Sequence, residues 1–366
     1  MNKITLYCHV GMAKTGSSVI QNFLDVNREN LYRYHSCLYP NFGARKFHTG
    51  RCHNHDLWYR ENENNQQVTL KKISEVIRYC EAHGISKIVM SSEAWLGDRS
   101  VPDLMRKIQD SFDFVEIKTI CYLRRVDSWF ESAWKQWGLK KYKSIEEYLQ
   151  EPTKNQRYKA IWESLEYWSN QIGEKNILIR PYEKEQLRNG ILADFVQCLG
   201  IDYESFDWKK NEETNLALNI GFNRDVLEVL FLCQELYTDR HDNHLFELFS
   251  HLLGEHFQKK PFDSYSLLSP AQRLEIITNN LPYENLIARK YLNRPDGRIF
   301  YEPLPNLEDP WQPYSGLTLD KAIPIIVQLI EETNRQIKEN QLSHKLRRMK
   351  ILQPFIKFLR WVRRNF

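Results

Sequence analysis

Residues 4–24 read ITLYCHVGMAKTGSSVIQNFL, and this stretch determines the predicted fold. Residues 4–10 form an apolar run that ends at Gly11, and from Gly16 onward apolar residues recur at three- and four-residue steps. This order predicts a buried strand, a glycine-bounded loop and a helix. Strand and helix signals alternate to about residue 206, which predicts an α/β fold, a parallel sheet with flanking helices. Ligands of such sheets bind beyond the carboxyl ends of the strands.

The second half of the chain has a different pattern, because strand signals nearly vanish after about Phe206 and a mostly helical C-terminal half is predicted. No flexible Gly/Ser linker separates the halves. We therefore expect one elaborated domain over residues 1–342, with an α/β core at about 1–206, a helical elaboration at about 207–342, and a separate basic tail at 343–366. Further predicted strands are 87–90, 115–123 and 176–179; predicted helices are 70–82, 127–138, 145–149, 158–168, 222–236, 245–257, 270–278, 284–291 and 319–338; predicted loops are 40–66 and 293–316.

The charge and cysteine content exclude several classes of protein. The net charge is +4, but the tail holds eight basic and no acidic residues, so residues 1–342 carry −4 and no nucleic-acid partner is expected. The seven cysteines are dispersed and form no CxxC pair, which favours reduced thiols in a cytoplasmic protein. No run of apolar residues is long enough to cross a bilayer, and the N-terminal residues do not resemble a signal peptide.

The loop Gly11-Met12-Ala13-Lys14-Thr15-Gly16-Ser17-Ser18 is the strongest candidate for a binding site. A glycine-rich turn that opens a helix exposes backbone N–H groups at the positive end of the helix dipole, which suits a phosphate. Thr15, Ser17 and Ser18 add hydroxyl donors, and Lys14 adds a positive charge. The alternative interpretation is a tight turn with an N-capping serine.

This loop departs from the nucleotide-binding pattern GxxxxGK[ST], because Ser17 stands where that pattern needs its lysine. The displaced Lys14 resembles the 5′-phosphosulfate loop of sulfotransferases that use 3′-phosphoadenosine 5′-phosphosulfate (PAPS). Ala13 takes the place of the usual proline, and Ser17-Ser18 take that of the usual threonine pair. The resemblance implies a nucleotide-binding fold in which residues 15–18 hold the 5′-phosphate and Lys14, also in contact with PAPS, stabilises the charge that grows on the bridging oxygen.

A second motif is similar to the same family. The predicted strand 115–123 is followed by Arg124, and Ser132 comes eight residues later in the next predicted helix. In PAPS-dependent sulfotransferases an arginine and a serine at this spacing bind the 3′-phosphate, so the resemblance implies that role for Arg124 and Ser132. Arginine presents a planar fork of donors that matches phosphate oxygens. The alternative is an exposed arginine pair and an incidental serine.

A third, looser resemblance to bacterial members of the family lies in the second half. It covers Ala288-Arg289-Lys290-Tyr291-Leu292, Pro295-Asp296-Gly297-Arg298-Ile299-Phe300 and Asp309-Pro310-Trp311. The resemblance therefore touches most of residues 3–316, although the first two motifs are the specific ones.

The residue that deprotonates the acceptor hydroxyl is less closely defined by the sequence. Glu93 follows a predicted strand at the ligand edge of the sheet, and some sulfotransferases use a glutamate base, so Glu93 is our first choice. His55 is the alternative, by analogy with members of the family that use histidine. Glu93 as a helix-capping or ion-paired residue remains open. Zinc binding by Cys52, His53 and His55 is not expected, because their spacing fits no standard site.

The expected activity is the transfer of a sulfo group from PAPS to an acceptor hydroxyl without a metal ion. The resemblance leaves the acceptor open, and the many aromatic residues favour a carbohydrate, since aromatic faces suit sugar rings. Two other classes remain open: a P-loop kinase or NTPase acting on a small molecule, and a nucleotide-binding protein without turnover. Magnesium-dependent hydrolysis would favour the former, and binding without transfer to any acceptor would favour the latter.

The basic tail gives the first testable prediction. Apolar residues within 345–366 recur at helical spacing beside eight basic side chains, and Pro354 interrupts them. A basic amphipathic stretch of this kind binds anionic membranes, each Lys or Arg contributing about 1 kcal/mol near the surface. Peripheral contact with the inner face of the membrane is one hypothesis, and a helix packed on the protein body is the other.

We expect the full chain to sediment with anionic liposomes and a chain that ends at Leu342 to stay in the supernatant. Neutral liposomes serve as the control for charge dependence. Equal, negligible sedimentation of both chains would favour the packed helix instead.

Overall fold

A computed structural model of the chain describes residues 3–41, 63–151, 156–205, 207–208, 221–254, 257–259 and 266–340. Its central element is a five-stranded parallel sheet in the order β2-β3-β1-β4-β5. The strands are β1 (Ile4–His9), β2 (Cys37–Leu38), β3 (Lys87–Ser91), β4 (Val115–Leu123) and β5 (Ile177–Pro181). The predicted α/β fold, with a parallel sheet, flanking helices and a helical C-terminal half, is confirmed.

Helices flank the sheet and make up most of the described residues of the second half. Those of the first half are α1 (Ser17–Val26), α2 (Arg28–His35), α3 (Glu63–Ala82), α4 (Ser100–Ser111), α5 (Val126–Gln136), α6 (Ile145–Leu149), α7 (Arg157–Ile172) and α8 (Gly190–Cys198). Those of the second half are α9 (Arg224–Leu232), α10 (His244–Leu252), α11 (Pro270–Leu292) and α12 (Leu319–Asn340), with the two-stranded antiparallel pair β6 (Gly221–Phe222) and β7 (Gln258–Lys259).

The chain divides into two compact units. The first unit comprises residues 1–129, 155–215 and 274–304, and it contains the whole parallel sheet. The second unit comprises residues 130–154, 216–273 and 305–366. Each unit thus draws on segments from distant parts of the sequence. The predicted division into a core at 1–206, an elaboration at 207–342 and a tail remains a prediction.

The core of the first unit lies against the sheet. Strand β1 is buried from Leu6 to His9, and α1 places Ile20, Phe23 and Leu24 in the same apolar cluster as Phe195 and Val196 of α8. The three- and four-residue spacing seen in the sequence is therefore the buried face of α1. Packing on β1 and α8 fixes the direction of α1, and with it the position of the loop that precedes the helix.

The helices predicted at 270–278 and 284–291 are one continuous helix, α11, which contains Pro282. Tertiary contacts outweigh the hydrogen bond that proline removes. Asn280 lies in the middle of α11, where its Oδ1 accepts a hydrogen bond from the Tyr158 backbone N–H at 2.8 Å and its Nδ2 donates to the Ile276 carbonyl. Ile276 and Ile287, on either side of the proline, are both buried.

Several sequence predictions concern residues that the structure does not describe. His55, together with Cys52 and His53, lies outside the described residues, and so does the basic tail at 343–366. None of the helices in the described part of the chain is long and apolar enough to span a membrane.

Candidate functional site

The loop between β1 and α1 is anchored to the neighbouring strands by its backbone. The N–H groups of Val10 and Met12 donate to the carbonyl oxygens of Ile120 and Tyr122 in β4, at 3.0 and 3.2 Å. On the other side, the Ser92 N–H donates to the His9 carbonyl oxygen at 3.0 Å. The loop therefore begins as a continuation of the sheet at the carboxyl ends of three adjacent strands, where α/β proteins bind ligands.

The loop turns through three residues with positive φ: Gly11 (27°), Lys14 (70°) and Gly16 (81°). This conformation is costly for residues with a Cβ, and glycine adopts it readily. At Gly16 a Cβ would also lie 2.7 Å from Cδ1 of Ile191. The positive φ of Gly16 thus favours glycine at this position, and the tip of the Ile191 side chain in α8 would have to shift to admit a Cβ. Lys14 accepts the strained conformation without being glycine, which is common at functional sites.

The first turn of α1 follows directly from this loop. Gly16 is the N-cap residue, no side chain caps the helix, and the first turn contains no acidic residue. The N-capping serine of the alternative interpretation is therefore not observed, because Ser17 is already the first helical residue. Uncapped N–H groups at a helix N-terminus carry a partial positive charge that an anion can neutralise.

Two buried polar atoms at the base of the loop support an anion site. The Ser17 hydroxyl oxygen and Nε2 of His9 have no hydrogen-bond partner among the described residues, although each residue is only 1% exposed. Both atoms border the space beside Gly11, where a Cβ would lie 3.2 Å from Ser17 Oγ and 3.3 Å from His9 Nε2. Because buried polar atoms in folded proteins almost always have partners, this cradle of two atoms is a candidate contact for a phosphate or sulfo oxygen.

His9 is a candidate residue that the sequence analysis did not identify. Its Nδ1 lies 2.8 Å from Ser91 Oγ, which also accepts a hydrogen bond from Gln21 Nε2 at 3.2 Å. Complete burial lowers the pKa of His9 to about 3, so the imidazole is neutral at physiological pH. When the Ser91 hydroxyl donates to Nδ1, the proton resides on Nε2, and His9 becomes a neutral donor beside Gly11.

Thr15 has a different place from the one the sequence suggested. Its hydroxyl is fully buried and donates to the Met12 carbonyl oxygen at 2.5 Å, so its one proton stabilises the loop. Of the three hydroxyls predicted to face a phosphate, Ser17 is buried without a partner in the described structure and Ser18 is half-buried. A contact from Thr15 to a ligand would come from its backbone N–H.

The two arginines at the end of β4 have separate structural positions. Arg124 is half-buried, and its Nη1 donates to the Lys14 carbonyl oxygen at 3.1 Å, which brings its guanidinium to the loop. Arg125 is 7% exposed and forms a bidentate ion pair with Asp127, with N–O distances of 2.8 and 3.1 Å. Arg125 also donates to the carbonyl oxygens of Glu302 and Pro303. Arg125 is therefore a structural residue, and Arg124 is the one placed at the candidate site.

Hydrogen bonds to charged side chains hold residues 294–302, a part of the stretch that carries the third resemblance. The carboxylate of Glu183, which is 3% exposed, accepts hydrogen bonds from the backbone N–H groups of Tyr301 and Glu302 at 2.7 and 2.6 Å. Arg294 donates to the Ile299 carbonyl oxygen and to Gln186. Within the first unit, these contacts fix the segment after α11 near Arg125, so its visible role there is structural.

The remaining predicted site residues have the following positions. Glu93 is half-buried and begins the short 3₁₀ helix Glu93–Leu96, two residues after β3 ends. Because β3 pairs with β1 in parallel, Glu93 and Lys14 both follow the carboxyl ends of adjacent strands in the first unit. Ser132 is half-buried on α5, in the part of that helix that belongs to the second unit. The structure thus brings Lys14, Ser17 and Arg124 to one loop.

Sequence comparison identifies a relative that matches part of this chain. No protein-family model matches it. An uncharacterised protein of Archaeoglobus fulgidus is 30% identical over 134 residues, which are 36% of this chain and 35% of that protein. The chain thus spans about a third of the length of this curated relative.

The structural neighbours are sulfotransferase domains of low sequence identity. A sulfotransferase from Alicyclobacillus acidocaldarius is 15% identical with a TM-score of 0.33, over 62% of this chain and 92% of that one. A sulfotransferase domain from the curacin biosynthetic pathway is 11% identical with a TM-score of 0.33, over 58% and 77%. The corresponding domain of the Synechococcus PCC 7002 olefin synthase is 15% identical with a TM-score of 0.28, over 56% and 74%. Likeness at this level concerns the fold alone.

Proposed function

We propose that this protein is a PAPS-dependent sulfotransferase that transfers a sulfo group to an acceptor hydroxyl. The observation that carries the proposal is the pair of buried atoms, Ser17 Oγ and His9 Nε2, which lack partners in the described part of the chain at the base of an uncapped helix N-terminus. Such a cradle needs an anion or an ordered water. The displaced Lys14 then favours a phosphosulfate over the phosphates of ATP.

Different residues at the loop are assigned to the two phosphates of PAPS. The hydroxyl groups of Ser17 and Ser18 donate hydrogen bonds to the 5′-phosphate. Thr15 and Gly16 contribute backbone N–H groups at the start of α1. Arg124 is assigned to the 3′-phosphate, and its hydrogen bond to the Lys14 carbonyl oxygen, at 3.1 Å, supports the assignment because it holds the guanidinium beside the loop. The 3′-phosphate contact that the resemblance implies for Ser132 remains a prediction.

The chemistry requires a cation on one side of the sulfur and a base on the other. A bond forms between the acceptor oxygen and sulfur while the bond from sulfur to the bridging phosphate oxygen breaks, and that oxygen keeps the electron pair. Lys14 stabilises the negative charge that grows on the bridging oxygen. Glu93 accepts the proton of the acceptor hydroxyl, with His55 as the alternative base. As in the sequence analysis, we propose a hydroxyl-bearing carbohydrate as the acceptor.

The nucleotide preference tests this proposal directly. We expect the protein to bind 3′,5′-ADP at least about tenfold more tightly than 5′-ADP, since each charge-assisted hydrogen bond to a phosphate contributes roughly 1.5–3 kcal/mol. Isothermal titration calorimetry measures both affinities. Arg124→Gln should remove most of the preference, whereas Arg188→Gln, at an exposed arginine of the same unit, should leave it intact.

Equal affinity of the wild-type protein for the two nucleotides would contradict the assignment of Arg124. Magnesium-dependent hydrolysis of ATP by the same preparation would replace the proposal with a nucleotide hydrolase.

A further inference from the structure

The second unit contains a cavity of about 340 Å³ whose lining includes none of the residues assigned above to PAPS binding or sulfo transfer. Its size is at the lower end of the range of small-molecule sites. The aromatic side chains of Trp134, Phe231 and Trp311 contribute to its wall, and Arg224, Glu228 and Gln272 contribute charged and polar groups. The cavity therefore presents apolar faces together with both donors and acceptors of hydrogen bonds.

The wall of the cavity is held in place by hydrogen bonds within the second unit. Trp311 Nε1 donates to the Ser266 carbonyl oxygen at 3.1 Å, and the Tyr314 hydroxyl donates to Asp225 at 2.6 Å. The Arg224 guanidinium lies 5.1 Å from the centre of the Tyr314 ring. A wall whose side chains are already fixed loses little conformational entropy when a ligand binds. The cavity is thus preformed.

Two polar side chains of the lining, Glu228 and Gln272, can still form hydrogen bonds with a ligand. Within the described residues, the Glu228 carboxylate has no hydrogen bond and no ion-pair partner within 4 Å, and burial raises its pKa, partly offset by Arg224. Gln272 uses Oε1 to accept a hydrogen bond from the Ser269 N–H at 2.9 Å, while its Nε2 has no partner among the described residues. An acceptor and a donor thus border the same aromatic cavity.

We propose that this cavity binds a neutral carbohydrate ring, with the C–H faces of the sugar against Trp134, Phe231 or Trp311 and its hydroxyl groups on Glu228 and Gln272. A sugar offers what the lining requires: apolar C–H surface, hydroxyls that donate to a carboxylate, and hydroxyls that accept from an amide. A purely apolar ligand would leave the half-buried carboxylate without a partner, which is costly.

The charges of the lining argue against ionic ligands. Lys135, Lys143 and Arg224 oppose Glu146 and Glu228, so the lining carries one net positive charge and does not form a cage for a cation. An anion would meet the Glu228 carboxylate inside the cavity. Every residue of the cavity belongs to the second unit, so a binding test does not depend on the proposed activity.

The test uses the full-length protein and the methyl glycosides of glucose, galactose, mannose and N-acetylglucosamine, titrated separately and followed by ligand-observed NMR. We expect saturable binding of at least one glycoside. Glu228→Gln should weaken it about tenfold, because a neutral amide oxygen replaces the charged acceptor and one oxygen becomes an NH₂ donor. Gln272→Glu should weaken it as well, since glutamate keeps the acceptor that caps α11 but lacks the amide donor. Glu235→Gln, at an exposed glutamate outside the lining, is the matched control.

Thermal melting of each variant separates loss of binding from loss of folding. Trp311→Leu tests the aromatic wall separately and should also weaken binding. Binding that survives Glu228→Gln, Gln272→Glu and Trp311→Leu would overturn the proposal. So would the absence of binding by all four glycosides, or binding of tetramethylammonium or indole in their place.

Discussion

Lys14→Ala is expected to lower the rate of sulfo transfer by about 100-fold or more while the affinity for 3′,5′-ADP changes little. Lys14 is the cation of a loop whose other polar side chains are hydroxyls. Its carbonyl oxygen, rather than its side chain, holds Arg124 at 3.1 Å, so removal of the amine leaves the Arg124 contact in place. The effect should therefore fall on the transition state, where charge grows on the leaving oxygen, and not on binding of the product nucleotide.

Transfer from radiolabelled PAPS to an acceptor selected from a panel of glycans, lipids and proteins measures the rate. Alanine and lysine both carry a Cβ, so the backbone at φ 70° meets the same steric requirement in both proteins. Lys107→Ala, at an exposed lysine on α4, is the matched control and should transfer at the wild-type rate. A Lys14→Ala protein with near-normal turnover would remove Lys14 from the mechanism.

The strand, loop and helix that carry Lys14 could be predicted, because short runs of neighbouring residues determine each of them. The apolar run before Gly11 and the helical spacing after Gly16 predicted β1, the loop and α1, and the structure has them. The end of β4 was placed at Leu123, so the position of Arg124 at the carboxyl end of that strand follows from the sequence as well.

The rest of the site depends on contacts that sequence does not encode locally. His9 reads as one polar residue at the end of a strand, and its importance arises from Ser91 in β3 and Gln21 in α1. Arg124 and Arg125 are adjacent and chemically identical, and their contacts in the fold separate their roles: Arg125 pairs with Asp127, whereas Arg124 donates to the Lys14 carbonyl oxygen. The cavity of the second unit likewise joins segments near residues 134, 228, 272 and 311.

Glu93→Gln should abolish transfer and leave nucleotide affinity unchanged. Glutamine has almost the same shape as glutamate but cannot accept a proton, so the substitution isolates the function of a base from that of a structural contact. The position of Glu93 supports this test, because it follows the buried Ser91, which ends β3, and the buried Ser92, and β3 pairs with the strand that leads into the Lys14 loop. A base there would lie on the edge of the sheet at which ligands bind.

The same radiolabel assay, run in parallel with calorimetry of 3′,5′-ADP, separates the two effects. Glu185→Gln, at an exposed glutamate of the first unit, controls for the loss of one negative charge and should retain full activity. His55→Ala distinguishes the two candidate bases, since a neutral alanine removes any proton acceptor at that position. If Glu93→Gln transfers normally and His55→Ala does not, the base is His55, and Glu93 then has the structural role of beginning the turn after β3.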